Sequence, residues 1–90
     1  GLDVLVIGGS QGAKVFNEML PAQFHKLQMQ LGDEIPLKVT HQCGRGNQPV
    51  VEARYKELGQ AAGVHEFIHD MASAYRSADL VICRAGAMTV

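Results

Sequence analysis

Residues 2–7, LDVLVI, constrain the fold more than any other segment, because five of the six side chains are apolar. An apolar run of this length predicts a strand that is buried on both faces, as strands of parallel sheets are. A glycine-rich segment, residues 8–12, follows directly and ends the strand in a turn. The chain is therefore predicted to begin with a central strand, followed by a turn whose backbone is not covered by bulky side chains.

The rest of the chain alternates helical and strand patterns. In the first helical pattern, apolar side chains recur every three or four residues and therefore share one face. Its proline, Pro21, has no backbone N–H, and we expect a kink or a restart of the helix there. The predicted helices cover about 13–31, Pro49 to Gly59 and the segment capped by Asp70, and the predicted strands cover 37–41, 64–68 and 79–83.

Two further expectations concern side chains and turns nearer the end of the chain. Tyr55 and Tyr75 are both expected in the core, and Tyr75 is expected on the inner face of the helix that follows Asp70. Residues 84–89 are small or polar and predict a second turn, which looks like the start of another helix.

This order of elements predicts an α/β fold, a Rossmann-like doubly wound parallel sheet with helices on both faces. Right-handed crossovers favour the strand order 3-2-1-4. The chain changes direction between strands one and four, and ligands of such sheets bind beside the carboxyl ends of the strands at that point. The turns at 8–12 and 84–89 are predicted to flank it.

Composition narrows the class of protein. The 90 residues suffice for one small domain, and 47% hydrophobic with 19% charged residues argues against disorder. A formal net charge of −1 without a long basic run argues against nucleic-acid binding. Cys43 and Cys83 are too few for a disulfide framework and predict a reducing compartment, the cytoplasm. The abrupt ends of the sequence lead us to expect a piece of a longer chain.

The glycine-rich turn is a candidate phosphate site. Its backbone N–H groups and the helix N-terminus attract a phosphate, although a tight turn without a ligand has the same composition. Two known phosphate loops fit poorly. The dinucleotide fingerprint requires glycine where Ile7 stands, and the Walker loop requires Gly-Lys-Ser/Thr where the chain has Ala13-Lys14-Val15.

Four motifs in order carry a resemblance that covers essentially the whole chain. They are Gly8-Gly9-Ser10-Gln11-Gly12-Ala13 with Asn17, His41-Gln42-x-Gly44-x-Gly46, Glu66-Phe67-Ile68-x-Asp70-Met71, and Cys83-Arg84-x-Gly86-Ala87-x-Thr89-Val90. Together they resemble the C-terminal half of the MurG glycosyltransferases. These enzymes have the GT-B architecture, two Rossmann-like halves with the active site in the cleft between them.

The resemblance implies that residues 1–90 are a partial donor-binding domain for UDP-N-acetylglucosamine. By similarity, Ser10 and the backbone around it contact the diphosphate, and Ile68 meets the uracil through its main chain. Each residue also has a purely structural explanation, such as a helix cap at Ser10. The implied UDP-sugar-binding residues are Gly9, Ser10, Gln11, Gly12, Ile68, Met71, Met88 and Thr89.

The activity implied by the resemblance is inverting transfer of N-acetylglucosamine to an undecaprenyl-diphosphate-linked muramyl pentapeptide, lipid I, giving lipid II. This reaction serves peptidoglycan synthesis, and with it cell wall biogenesis, cell shape and cell division. The implied parent enzyme is peripheral on the cytoplasmic face of the bacterial inner membrane, and its N-terminal half holds the lipid-linked acceptor. We expect no catalytic residue, cofactor or metal in this piece.

Other interpretations start from the residues themselves. One is a Rossmann-like module that binds NAD(P) or another nucleotide without glycosyl transfer. Another is a flavodoxin-like regulatory domain. This interpretation is disfavoured because acidic residues do not cluster at the end of the first strand. The segment His65-Glu66-Phe67-Ile68-His69 matches the zinc-protease motif H-E-x-x-H, but that motif requires a helix and this segment is predicted as a strand.

Overall fold

The computed structural model describes residues 1–8 and 14–83, together with the backbone of residues 86–89. The elements in chain order are β1 (Leu2–Ile7), α1 (Lys14–Leu31), β2 (Leu37–Gln42), α2 (Gln48–Leu58), β3 (Ala62–His65), α3 (Met71–Ser77), β4 (Leu80–Cys83) and β5 (Gly86–Thr89). This alternation confirms the predicted α/β class.

The strands form one sheet in the order β3-β2-β1-β4-β5. β1 is central and pairs in parallel with β2 on one side and with β4 on the other, and β2 pairs in parallel with β3. This part of the sheet confirms the predicted order 3-2-1-4. Because Ile7 lies opposite both Gln42 and Cys83, the carboxyl ends of these strands meet at one edge of the sheet.

The fifth strand corrects the prediction for residues 86–89, while residues 84 and 85 of the predicted turn lie outside the described residues. β5 runs antiparallel to β4, whereas the sequence predicted a turn and the start of a helix. Pairing with β4 gives the backbone groups of these four residues hydrogen-bond partners. A single helical turn would leave most of the same groups without partners. The sheet is therefore mixed, with four parallel strands and one antiparallel strand at the edge.

The core lies on both faces of the sheet because the side chains of β1 alternate. Val4 and Val6 join the cluster formed with Phe24 of α1 and Tyr55 of α2. Leu5 points to the opposite face, where its cluster packs against α3. Burying side chains of this size contributes about 1.5–3 kcal/mol each, so β1 anchors both layers.

Helix α1 continues through Pro21, so of the predicted kink or restart the restart does not occur. A proline removes the hydrogen bond to the carbonyl four residues earlier, which here is that of Asn17. Nη1 of Arg54, on α2, donates to this carbonyl at 2.7 Å. The side chain from the neighbouring helix thus replaces the missing donor, and the same contact joins α1 to α2.

The ends of α2 and α3 are set by local hydrogen bonding. α2 stops at Gly59, which adopts the left-handed conformation with φ of 70°. Asp70 caps α3 as predicted, because its carboxylate accepts from the N–H of Ser73 at 3.1 Å. Tyr55 is buried as predicted, but Tyr75 is 36% exposed, so its predicted place in the core is wrong. Helix α3 has only seven residues and none of them is fully buried, so fewer of its side chains pack against the sheet than the apolar spacing predicted.

Among the helices within residues 14–83, none combines the length and the hydropathy that a bilayer span requires.

Candidate functional site

At the carboxyl edge of the sheet, Gly8, the first residue of the glycine-rich segment, lies against the end of β2. The N–H of Gly8 donates to the carbonyl of Gln42 at 3.2 Å. The N–H of Cys43 donates to the carbonyl of His65 at 2.9 Å on the other side of β2. These bonds continue the parallel pairing past the strand ends, so the first residues after β1, β2 and β3 are held close together.

The loop after β2 is a tight turn that the segment after β3 closes. Gly44 and Gly46 have φ of 87° and 79°, a conformation in which a Cβ would be strained. The N–H of Gly46 donates to Oε2 of Glu66 at 2.7 Å. Nδ2 of Asn47 donates to the carbonyl of Cys43 at 2.9 Å. Two of the sequence motifs thus meet at this edge, the glycine turn from one and its carboxylate partner from the other.

A buried polar network lies beneath this edge, around His41. Nε2 of His41 is 2.9 Å from Oδ1 of Asn17, and Nδ1 is 2.7 Å from the hydroxyl of Tyr55. The amide nitrogen of Asn17 donates to the carbonyl of Cys43 at 3.0 Å, so its oxygen must be the atom that faces His41. This oxygen can only accept. The network therefore assigns the proton of His41 to Nε2, and Tyr55 donates to Nδ1.

The electrostatics of the network favour neutral groups. Burial lowers the pKa of His41 from 6.5 to about 4, because an imidazolium here would lose its hydration. Burial also raises the pKa of the Tyr55 phenol and is the largest cause that raises the pKa of the Cys43 thiol. All three groups are thus uncharged at neutral pH, and the network holds its elements together through hydrogen bonds alone.

The glycine-rich segment starts at a residue that is anchored to the end of β2, and the first turn of α1 is anchored to the same strand end. Gly8, at its start, bonds to the backbone of β2. Asn17, in the first turn of α1, bonds through its side chain to His41 and to the carbonyl of Cys43, at the same end of β2.

Four predicted site residues fall within this segment and lie outside the described residues. They are Gly9, Ser10, Gln11 and Gly12. Their contacts with a diphosphate remain predictions.

Met88 and Thr89 do not begin a helix, because both lie in β5. In the antiparallel register Thr89 is opposite Leu80, the first residue of β4. The structure therefore places the backbone of Thr89 toward the amino end of β4, and it does not bring this residue to the edge where Gly8 lies. The ligand roles of Met88 and Thr89 remain predictions.

Ile68 is brought to the carboxyl edge. It lies in the loop between β3 and α3, half-buried, and its N–H donates to Oε1 of Gln42 at 3.0 Å. Met71 follows as the first residue of α3 and packs against the cluster that contains Leu5 and Val81. The predicted base-binding residue and the start of the glycine-rich segment thus share one partner, Gln42.

Sequence reasoning did not find the residues that hold this edge together. His41, Gln42 and Tyr55 were not among the predicted site residues. A signal for His41 was nevertheless present, because it shares one strand face with Leu37 and Val39 at a spacing of two residues. A histidine on a buried face requires hydrogen-bond partners, which predicts a network but not its members.

The H-E-x-x-H segment does not form the helix that zinc binding by this motif requires. His65 ends β3, and residues 66–70 form a loop before α3, so the predicted strand is wrong beyond His65. The ladder ends there because His65 is already opposite Gln42, the last residue of β2. Within the described part of the chain, no three metal-ligating side chains gather into a cluster.

Comparison with known families identifies the protein family to which this fold belongs. Residues 3–90 match the family model described as the glycosyltransferase family 28 C-terminal domain. The chain belongs to this family.

Relatives of known name extend the family 28 assignment. Proteins from Aeromonas hydrophila subsp. hydrophila and Psychromonas ingrahamii are 49% and 52% identical to this chain, each over 89 residues that cover 99% of it. Both are named UDP-N-acetylglucosamine--N-acetylmuramyl-(pentapeptide) pyrophosphoryl-undecaprenol N-acetylglucosamine transferase. The matched segment is 23% and 24% of their lengths, so the chain spans about a quarter of these relatives.

A solved structure agrees with this family 28 fold. The crystal structure of Acinetobacter baumannii MurG superimposes with a TM-score of 0.81 at 42% sequence identity, and the match covers 94% of this chain and 24% of that one. The predicted resemblance to MurG is confirmed by these similarities. The alternative of an NAD(P)-binding module without glycosyl transfer is not favoured by them.

Proposed function

We propose that this chain forms the nucleotide-binding part of the donor site in a MurG-type transferase that uses UDP-N-acetylglucosamine. The observation that carries the proposal is that Gly8, where the glycine-rich segment begins, and Ile68 both bond to Gln42 at the end of β2. Open α/β sheets bind their ligands at this edge, beside the switch point between β1 and β4.

A nucleoside diphosphate requires two kinds of contact that this edge offers. Backbone N–H groups between β1 and α1, with the helix N-terminus, suit the phosphates. The main chain at Ile68, in the loop beside them, suits the base. In this proposal Ser10 and the glycines 9 and 12 hold the diphosphate, Ile68 holds the uracil, and Met71 packs near the base.

The proposed reaction is an inverting displacement. The hydroxyl oxygen of the lipid-linked acceptor forms a bond to the anomeric carbon, while the bond from that carbon to the diphosphate breaks and UDP leaves with the electron pair. The acceptor proton passes to a base that lies in another part of the longer protein. Backbone N–H groups of the glycine-rich segment stabilise the negative charge that develops on the leaving diphosphate.

The same proposal places the reaction in peptidoglycan synthesis, at the step from lipid I to lipid II. The acceptor is membrane-linked, so the longer protein works at the cytoplasmic face of the inner membrane. The part described here supplies donor binding, and acceptor binding lies elsewhere.

A titration followed by backbone NMR tests the proposal. We expect UDP to shift the amide signals of Gly8 and Ile68, and to leave those of Leu2 and Ala62, at the opposite edge of the sheet, unchanged. NAD, added at the same concentration, should produce weaker shifts. Shifts at Gly8 with NAD and none with UDP would refute the proposal and favour the dinucleotide-binding alternative.

A serine pair provides a matched test of the diphosphate contact. Ser10→Ala should weaken UDP binding by about 1–2 kcal/mol, as expected for a lost hydrogen bond to a charged group. Ser77→Ala, at an exposed position in the last turn of α3, is the control and should leave the dissociation constant unchanged. Equal affinities for the Ser10 variant and the unchanged chain would remove Ser10 from the site.

A further inference from the structure

Gln42 contacts both loops of the proposed nucleotide site. Its main-chain carbonyl accepts from the N–H of Gly8 at 3.2 Å, and its side-chain Oε1 accepts from the N–H of Ile68 at 3.0 Å. The residue is 6% exposed, so most of its side chain is shielded from water. One residue at the end of β2 therefore fixes the start of the phosphate-binding segment and the base-binding loop.

The side chain is needed because the strand ladder does not reach Ile68. Parallel pairing between β2 and β3 ends at Gln42 and His65, and two loop bonds extend it only as far as the carbonyl of Glu66. Beyond that point the chain turns toward α3. The N–H of Ile68 is held by a side chain that spans this gap, and the requirement for an acceptor fixes which way the Gln42 amide is oriented.

From this geometry we infer that Gln42 is a positioning residue that holds the base-binding loop at Ile68 at a fixed separation from Gly8, where the proposed phosphate-binding segment begins. The inference rests on the proposed function. Uracil and diphosphate belong to one covalent molecule, so a site binds both ends well only when the two loops keep the correct distance. Gln42 fixes that distance without touching the nucleotide itself.

The inference predicts that the two ends of the nucleotide respond differently to a change at this position. Gln42→Met preserves the length of the side chain and its main-chain bond to Gly8 but removes the acceptor for Ile68. We expect affinity for UDP and for uridine to fall about tenfold, as follows from losing one well-made hydrogen bond. Affinity for inorganic pyrophosphate, which contacts only the phosphate-binding segment, should not change.

The chain offers a matched control at the other end of the same strand. Gln60 is also 6% exposed, and its Nε2 donates to the carbonyl of Leu37, at the amino end of β2. Gln60→Met should therefore lower stability in a similar way while leaving the affinities for uridine and pyrophosphate unchanged. Amide hydrogen exchange gives a second measurement, because Gln42→Met should speed exchange at Ile68 and not at Gly8.

The outcomes distinguish this inference from the proposed function. If the unchanged chain shows no binding of UDP, both are overturned. If it binds UDP and Gln42→Met binds uridine equally well, only the role of Gln42 is overturned. Tighter uridine binding by the variant would also overturn it, because Gln42 would then compete with the base for the Ile68 N–H. An equal loss of affinity for uridine and for pyrophosphate would also overturn the role of Gln42, because it would show a general structural effect.

Discussion

Removing the Tyr55 hydroxyl should destabilise the protein through His41. Tyr55→Phe retains the ring, which is 2% exposed and packs edge-on against His41 with ring centroids 5.7 Å apart. The lost atom is the donor that satisfies Nδ1 of His41 at 2.7 Å. Because His41 is fully buried, this nitrogen is then left without a partner in a site that water does not reach.

The magnitude follows from the cost of an unsatisfied buried acceptor, about 1–3 kcal/mol. We take about 2 kcal/mol as the expected loss in the free energy of unfolding. For a domain of this size, that loss corresponds to a fall in Tm of roughly 8–16 °C. Urea denaturation at pH 7.5 should show a lower midpoint with an unchanged m-value, since the surface exposed on unfolding is the same.

The second tyrosine supplies the control. Tyr75→Phe removes the same atom from a side chain that is 36% exposed, and it should change stability by less than about 0.5 kcal/mol. Nitrogen NMR of the imidazole gives an independent check. In Tyr55→Phe the Nδ1 signal of His41 should move while Nε2 keeps its proton, because Asn17 still requires a donor there. Equal stability losses in the two phenylalanine variants would refute the argument that the network depends on this hydroxyl.

Three other perturbations have clear expected outcomes. The pKa of His41 is about 4 in the folded protein and 6.5 in the unfolded chain, so the unfolded chain takes up a proton first as the pH falls. The free energy of unfolding should therefore fall through this interval, by about 2 kcal/mol between pH 8 and pH 5 as measured by urea titration. The fall from this source should level off below pH 4, and an NMR titration that gives His41 an ordinary pKa would contradict it. Asp70→Ala should cost about 1 kcal/mol of stability through loss of the α3 cap, measured against Asp33→Ala in an exposed turn. Gly59→Ala should destabilise by about 1 kcal/mol because alanine is strained at φ of 70°, and a higher Tm for this variant would show that the strain is absent.

The strands that depend on uninterrupted apolar runs were predictable from the sequence. β1 has its predicted bounds, because a run of this kind has few ways to be buried other than at the centre of a sheet. β3 was predicted too late in the chain, because Phe67 and Ile68 are apolar but lie in the loop that follows. Local pattern alone does not show where a partner strand ends, and the end of β2 determines where this ladder stops.

The candidate site was predictable in part. Motif order and resemblance identified Ile68, and the structure brings it to the expected edge. The roles of His41 and Gln42 depend on contacts with residues 24 and 26 positions away, which a one-dimensional pattern does not contain. The choice between a kink and a restart at Pro21 was left open for the same reason, because the replacement donor, Arg54, lies in another helix.

The end of β2 also has a consequence for how the protein folds. Its hydrogen bonds join Gly8, Asn17 and Ile68, which lie far apart in sequence, and none of them can form before β2 is seated between β1 and β3. Parallel pairing of this kind has high contact order and forms late relative to local helices. A partly folded chain would therefore contain helices but not the edge to which we assign nucleotide binding. A ligand that binds at this edge binds only chains in which the sheet is complete. Its binding free energy therefore stabilises the whole folded chain and not a single loop.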